Sequence, residues 1–177
     1  IFDLAKLLGP LAKGLSGAIG LDVFAGRVVT LDIAKHRITI EDDNSFAAIR
    51  KQAVEVPIRM VREVQGAALT VDIGVTTSYG TAGMELDTGN YGHSLIDATI
   101  APLFGLDPRK SEPQPLKAQI PGGIGVDSTA VVQSLIMDGN LGRDVLRHWE
   151  LTLDLKQGRA WIKVLPSSSP DKGPGGS

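Results

Sequence analysis

Alternation of apolar and polar positions dominates the chain. Residues 28–33 (VVTLDI), 37–40 (RITI), 54–62 (VEVPIRMVR), 67–76 (AALTVDIGVT), 84–87 (MELD), 116–120, 127–136, 150–155 (ELTLDL) and 159–164 (RAWIKV) place apolar residues at alternate positions or in short runs. A period of two belongs to strands with one buried face. Helical spacing is confined to short stretches. Residues 3–13 predict a short helix broken at Gly9-Pro10, 42–53 predict a turn with one helical turn, and 94–106 predict a short helix. Thr77–Gly83 reads as a turn, 107–115 as a Pro-rich loop, Pro121–Gly125 as a loop, and 166–177 as a flexible tail or linker.

One segment occurs twice. Residues 17–41 (GAIGLDVFAGRVVTLDIAKHRITIE) align without a gap to 139–163 (GNLGRDVLRHWELTLDLKQGRAWIK), an offset of 139 − 17 = 122. Nine of the 25 positions are identical: Gly17/Gly139, Gly20/Gly142, Asp22/Asp144, Val23/Val145, Thr30/Thr152, Leu31/Leu153, Asp32/Asp154, Arg37/Arg159 and Ile40/Ile162. Four further pairs exchange one apolar residue for another. Repetition of this kind means the same structural piece is used twice. Each copy reads as a Gly-rich turn that lets backbone pass close to another segment, followed by a β-hairpin at 28–41 or 150–164.

Composition narrows the function classes. The net charge of -2, from 18 Lys+Arg against 20 Asp+Glu, argues against a nucleic-acid partner. No apolar run reaches the roughly 18 residues of a membrane-spanning helix. With no Cys there is no disulfide framework, thiolate zinc site or cysteine nucleophile. His36, His93 and His148 lack metal-ligand spacing, so no metal and no cofactor is expected. Gly92-His93-Ser94-Leu95-Ile96 lacks the closing Gly of a serine-hydrolase elbow, and Pro121–Gly125 lacks the Lys-Ser/Thr of a phosphate loop. Trp149 and Trp161 read as packing residues, and Asp22, Asp32, Asp144 and Asp154 as turn and capping residues.

The candidate chemistry is Asp87-Thr88-Gly89, at the end of the M-E-L-D strand. Alone, the tripeptide is ordinary turn chemistry. Roughly 50 residues later, however, comes Asp138-Gly139-Asn140-Leu141-Gly142-Arg143-Asp144-Val145-Leu146. Together the two resemble the pepsin-like and retropepsin-like aspartic proteases, and their bacterial branch most closely. There a strand-borne D-T-G is followed by D-G-apolar-apolar-G-x-D-apolar-apolar. Asn140 departs from that pattern, where an apolar residue is expected. The earlier copy fits with Ser16 in place of the leading Asp.

The resemblance implies a mostly β fold: an acid-protease (pepsin/retropepsin-like) lobe with a ψ-loop and a pseudo-two-fold internal repeat. Residues 1–43 would be the C-terminal part of a first lobe, 44–53 an inter-lobe connection, 54–165 a complete second lobe, and 166–177 a tail. It also implies an aspartic endopeptidase in which two carboxylates about 3 Å apart share one proton and activate water. Asp87, Thr88 and Gly89 would be catalytic, Leu141 and Gly142 would support the ψ-loop, and Asn90 with Gly122, Gly123, Ile124 and Gly125 would contact peptide substrate, the glycine-rich stretch as a flap-like hairpin. The repeat puts the counterpart of Asp87 at 87 − 122 = −35, before Ile1. The expected partner is therefore an N-terminal fragment of the same precursor carrying the first Asp, with a homodimer as second choice. The rival function is a non-catalytic peptide-binding or assembly module that keeps the fold. Residue 1 is Ile and no signal-peptide pattern is visible. The bacterial relatives nonetheless imply a periplasmic or secreted setting.

Overall fold

The computed structural model describes residues 17–66 and 68–166. The helix expected at 3–13 and nearly all of the tail lie outside them. Eleven strands form one sheet: β1 (Val28–Asp32), β2 (Arg37–Ile40), β3 (Val54–Glu63), β4 (Ala68–Thr77), β5 (Gly80–Leu86), β6 (Ser94–Asp97), β7 (Gln114–Ile120), β8 (Ile124–Gln133), β9 (Gly139–Leu141), β10 (Trp149–Asp154) and β11 (Arg159–Val164). Their spatial order is β2-β1-β10-β11-β3-β4-β5-β9-β6-β8-β7, and a pairing of β4 with β7 curls the second part back on itself. Two short α-helices, α1 (Asp43–Ile49) and α2 (Arg143–Leu146), complete the regular structure alongside 3-10 turns.

The two hairpins meet in the middle of the four-strand run β2-β1-β10-β11 at one end of the sheet. β1 pairs antiparallel with β10, and Thr30 lies directly opposite Thr152, its own equivalent at the 122-residue offset. Val29 then faces Leu153 and Leu31 faces Leu151, so each pairing maps onto another when the copies are exchanged. The hairpin registers agree as well: Val29 opposite Ile40 corresponds to Leu151 opposite Ile162, and Asp32 opposite Arg37 to Asp154 opposite Arg159. His36, at positive φ in the first turn, stands where the second turn has Gly158 at positive φ. The hydroxyls of Thr30 and Thr152 share a buried hydrogen bond of 2.8 Å.

β3 joins this ribbon to the barrel. Its first four residues pair with β11 and its last six with β4, and Pro57 marks the changeover, where a missing N–H does least harm. The core runs through both parts: Val29, Val56, Met84, Ile96, Leu141 and Trp149 are among its most buried side chains. β4 and β5 bury every second residue, as their alternation predicts. Trp149 and Trp161 are both buried. Phe46 of α1 packs edge-on against Trp161 at 4.7 Å, so the connection between the copies folds down onto the second copy.

Three expectations need correction. Residues 94–106 are not one helix. Ser94–Asp97 is a strand held between β8 and β9, and only Ala101–Phe104 turns, as a 3-10 helix with Pro102 inside it. Thr77–Gly83 is mostly strand, since β4 and β5 continue to a tight turn at Ser78–Tyr79. The single helical turn expected within 42–53 extends to seven residues, started by reciprocal hydrogen bonds between Asp42 and Ser45.

The threonine pair yields a double-mutant prediction. Thr30→Val or Thr152→Val alone strands a buried hydroxyl and is expected to cost about 1–3 kcal/mol in urea unfolding. The double substitution removes both hydroxyls and is expected to cost clearly less than the sum. Additive losses would show that the hydroxyl pair does not couple the copies.

Candidate active site

The site is built by a strand passing between two others. β5 runs into the Asp87-Thr88-Gly89 loop, and the chain returns as β6. β9 lies between them, parallel to β5 with Leu86 opposite Leu141, and antiparallel to β6. This crossing needs glycine. A Cβ on Gly139 would stand 2.2 Å from the Leu95 carbonyl oxygen, and one on Gly142 would stand 3.0–3.2 Å from atoms of Asn90. The Asp87 N–H donates to the Leu141 carbonyl (3.0 Å), and the Arg143 N–H to the Asn90 carbonyl (2.9 Å), so β9 and the start of α2 lie directly beneath the loop.

Every hydrogen bond to the Asp87 carboxylate is donated to it. Its Oδ1 accepts from the backbone N–H groups of Gly89 (2.9 Å) and Asn90 (3.1 Å), and its Oδ2 accepts from Asn140 Nδ2 (3.0 Å). Asp87 is half-buried, while Thr88 and Gly89 are exposed. Thr88 lines an apolar groove with Ile19, Leu21, Ile38, Leu86 and Leu151, which includes the first repeat copy. Asn90 bridges the loop: its Nδ2 donates to the His93 carbonyl (2.8 Å) and to Asn140 Oδ1 (3.0 Å).

The structure thus gathers Asp87, Thr88, Gly89, Asn90, Leu141 and Gly142. It does not bring Gly122, Gly123, Ile124 and Gly125 to them. These residues form and follow the β7–β8 turn, where a Cβ on Gly122 would stand 2.4 Å from Val54 Cγ1. Ile124 lies five residues along β8 from Thr129, which hydrogen-bonds His93 near the loop; at about 3.3 Å per residue that is roughly 16 Å. The recurring aspartates serve structure. Asp32 and Asp154 accept backbone N–H groups in their hairpin turns, Asp22 pairs with Arg62, and Asp144 bonds Ser94, Ser128 and the Val145 N–H.

Sequence reading did not single out Asn140 as a site residue, although its departure from an apolar pattern was visible. Glu85 gave no signal at all. It points to the same face of β5 as Asp87, opposite Asp72 of β4. Burial, followed by the charges of Asp87, Glu63 and Asp72, pushes its carboxyl up to about 7. Arg59 neutralises Asp72 at 2.6 Å, and Asp138 accepts the Gly83 N–H on the same side.

No protein-family model and no curated protein matches the chain. Solved structures do. A retropepsin-like aspartic protease from Rickettsia conorii is 18% identical, with a TM-score of 0.43 over 62% of this chain and 87% of its own. Basic 7S globulin from soybean is 12% identical, with a TM-score of 0.50 over 80% of this chain and 52% of its own. The chain therefore spans about half the length of the globulin and shares its fold. The mostly β, acid-protease-like lobe implied by the resemblance is the fold the structure has.

Glu85 sets a pH dependence of stability. A carboxyl raised in the folded state binds its proton more tightly there than in the unfolded chain, so its stabilising effect is complete below about 4.5 and is lost as pH rises through about 7. Glu85→Gln is expected to raise the thermal midpoint at pH 8, by about 1 kcal/mol in stability once solvent screening of this half-exposed group is counted, and to change little at pH 4. Equal effects at both pH values would contradict this.

Proposed function

We propose that the chain supplies one half of an aspartic endopeptidase site, with Asp87 as one of two carboxylates that activate water for peptide-bond hydrolysis. The observation that carries the reading is the seat of Asp87. It stands at the mouth of a strand crossing, its carboxylate held by three donors, in a D-T-G and Leu141-Gly142 context that resembles the aspartic proteases. In such a dyad the ionised carboxylate takes a proton from bound water, the water oxygen attacks the carbonyl carbon, and the protonated carboxyl donates to the carbonyl oxygen. Thr88, facing the apolar groove, is positioned toward the partner's side.

The second carboxylate comes from a partner polypeptide. Support lies in the unequal treatment of equivalent residues. Gly139–Gly142 are buried beneath the Asp87 loop, while Gly17–Gly20 are exposed. Ala160 and Ile162 are 0% and 1% exposed, while Ile38 and Ile40 are 52% and 56% exposed. β11 receives β3 on its outer edge, whereas among the described residues β2 receives no strand. The first copy thus presents the surfaces that in the second copy lie under a barrel and an Asp loop. An N-terminal fragment of the same precursor, built like 54–133, fits that surface, and a second copy of this chain is the other candidate.

With its partner bound, the protein is expected to cleave peptides between about pH 4 and 7 and to be blocked by a statine-type inhibitor. Asp87→Asn is expected to lower the rate by about 10²–10⁴-fold. Inhibitor-insensitive activity, or none with the partner present, would favour a non-catalytic binding module. Native mass spectrometry tests the partner: a heteromeric or dimeric mass is expected, shifting to monomer in Ile38→Asp/Ile40→Asp. A wild-type mass of one 18.7 kDa chain, with no other polypeptide, would refute the partner.

A further inference from the structure

The two repeat copies differ at a position that faces the candidate carboxylate. Residue 140 corresponds to residue 18, since 140 − 122 = 18, and the chain carries Asn in the second copy and Ala in the first. Asn140 is buried at 7% exposure. Its orientation is dictated by groups that can only donate. The Leu95 N–H points at Oδ1 (3.2 Å), leaving Nδ2 toward Asp87. Asn90, the other donor to Oδ1, is fixed in turn, because its own Oδ1 takes the Gly92 N–H (2.9 Å) and its Nδ2 faces the His93 carbonyl. A flipped Asn140 would set an N–H₂ group against a backbone N–H and an oxygen against a carboxylate.

We propose that Asn140 is a positioning residue that breaks the symmetry of the dyad: it holds Asp87 as the ionised, proton-accepting carboxylate and leaves the shared proton on the partner's carboxyl. The inference rests on the aspartic-peptidase reading. Ala18 has no donor to offer, so the side chain matching Asn140 cannot hold the partner's carboxylate in the same way. All three hydrogen bonds at Asp87 need an oxygen lone pair and strengthen with negative charge; a proton on Oδ2 would point at the Asn140 N–H₂ group, and one on Oδ1 at two backbone N–H groups. The other charges on this face are Glu85 on β5, Asp72 on β4, Glu63 on β3 and Asp138 before β9, with Arg59 on Asp72. These are mostly acidic and oppose a charged Asp87, which makes the Asn140 donor the more important. During attack one proton passes from water to Asp87 and one from the partner's carboxyl to the carbonyl oxygen. The dyad still holds one proton, now on the opposite member.

The test is the pH profile of peptide cleavage by the partnered protein. Asn140→Asp keeps an acceptor for Leu95 and Asn90 but turns the donor facing Asp87 into a second carboxylate. It is expected to melt close to wild type, with the acid limb of kcat/KM moved up by about one pH unit or more, because two adjacent carboxylates retain a proton. Asn140→Leu restores the apolar pattern and removes the donor without adding charge. It is expected to lower kcat about tenfold or more with KM nearly unchanged. If Asn140→Asp does not fold, the kcat-against-KM split in Asn140→Leu decides. In the chain alone, the Asn140 side-chain amide signals in ¹⁵N NMR are expected to shift on acidification and to lose that response in Asp87→Ala. A normal wild-type bell with an unmoved acid limb in Asn140→Asp, or an amide that ignores acidification, overturns the role of Asn140 alone. Absence of cleavage by the wild type at every pH overturns the peptidase reading and this inference together.

Discussion

Two threonine hydroxyls, one from each copy of a repeated segment, share a hydrogen bond at the seam between the two hairpins, and the architecture follows from where they meet. Antiparallel pairing lets the copies exchange without changing the ladder, and this register puts the point of exchange between Thr30 and Thr152. Once Thr30 faces Thr152, the flanking strands have fixed places, and β3 is delivered to the outer edge of β11. From there the chain closes a barrel whose inner strand crossing carries Asp87. The hydroxyl pair is small in energy, but it sits where a slip of one residue would turn both hairpins inside out.

Much of this was legible in the sequence because it is periodic. From Leu69 to Val75 in β4, and along β10, apolar and polar residues alternate, and the two copies agree at Gly20/Gly142 and Asp32/Asp154. What escaped reading depends on distant partners. Ser94–Asp97 is apolar enough to suit a short helix, and only the slot between β8 and β9 makes it a strand. The family resemblance implies a cleft-covering hairpin at Gly122–Gly125, yet Gly122 packs against Val54, where a Cβ would not fit. The Asp42-x-x-Ser45 cap marks the start of α1 locally, while its seven-residue length goes with the packing of Phe46 on Trp161.

At the site, the loop residues were recognisable while their electrical surroundings were not. Asp87 announces itself through D-T-G, but the acidity of its face comes from β3, β4 and β5 lying side by side, which no local pattern encodes. Asn140 belongs to both categories. Its oddness in an apolar motif could be seen, but its meaning required knowing that Leu95, Asn90 and Asp87 converge on one amide.

Among the described residues no strand pairs with the outer edge of β2, and this has a consequence for handling the molecule. An edge strand with two outward isoleucines is a template on which other extended chains can grow, so this edge favours self-association of the chain. The strand is only four residues long and begins with Arg37, which neighbours Asp32 at 3.6 Å; shortness and a flanking charge both blunt such templates. A net charge of -2 adds little repulsion. Colloidal behaviour in dilute buffer will therefore be governed by one short ribbon of backbone rather than by the well-packed barrel beside it.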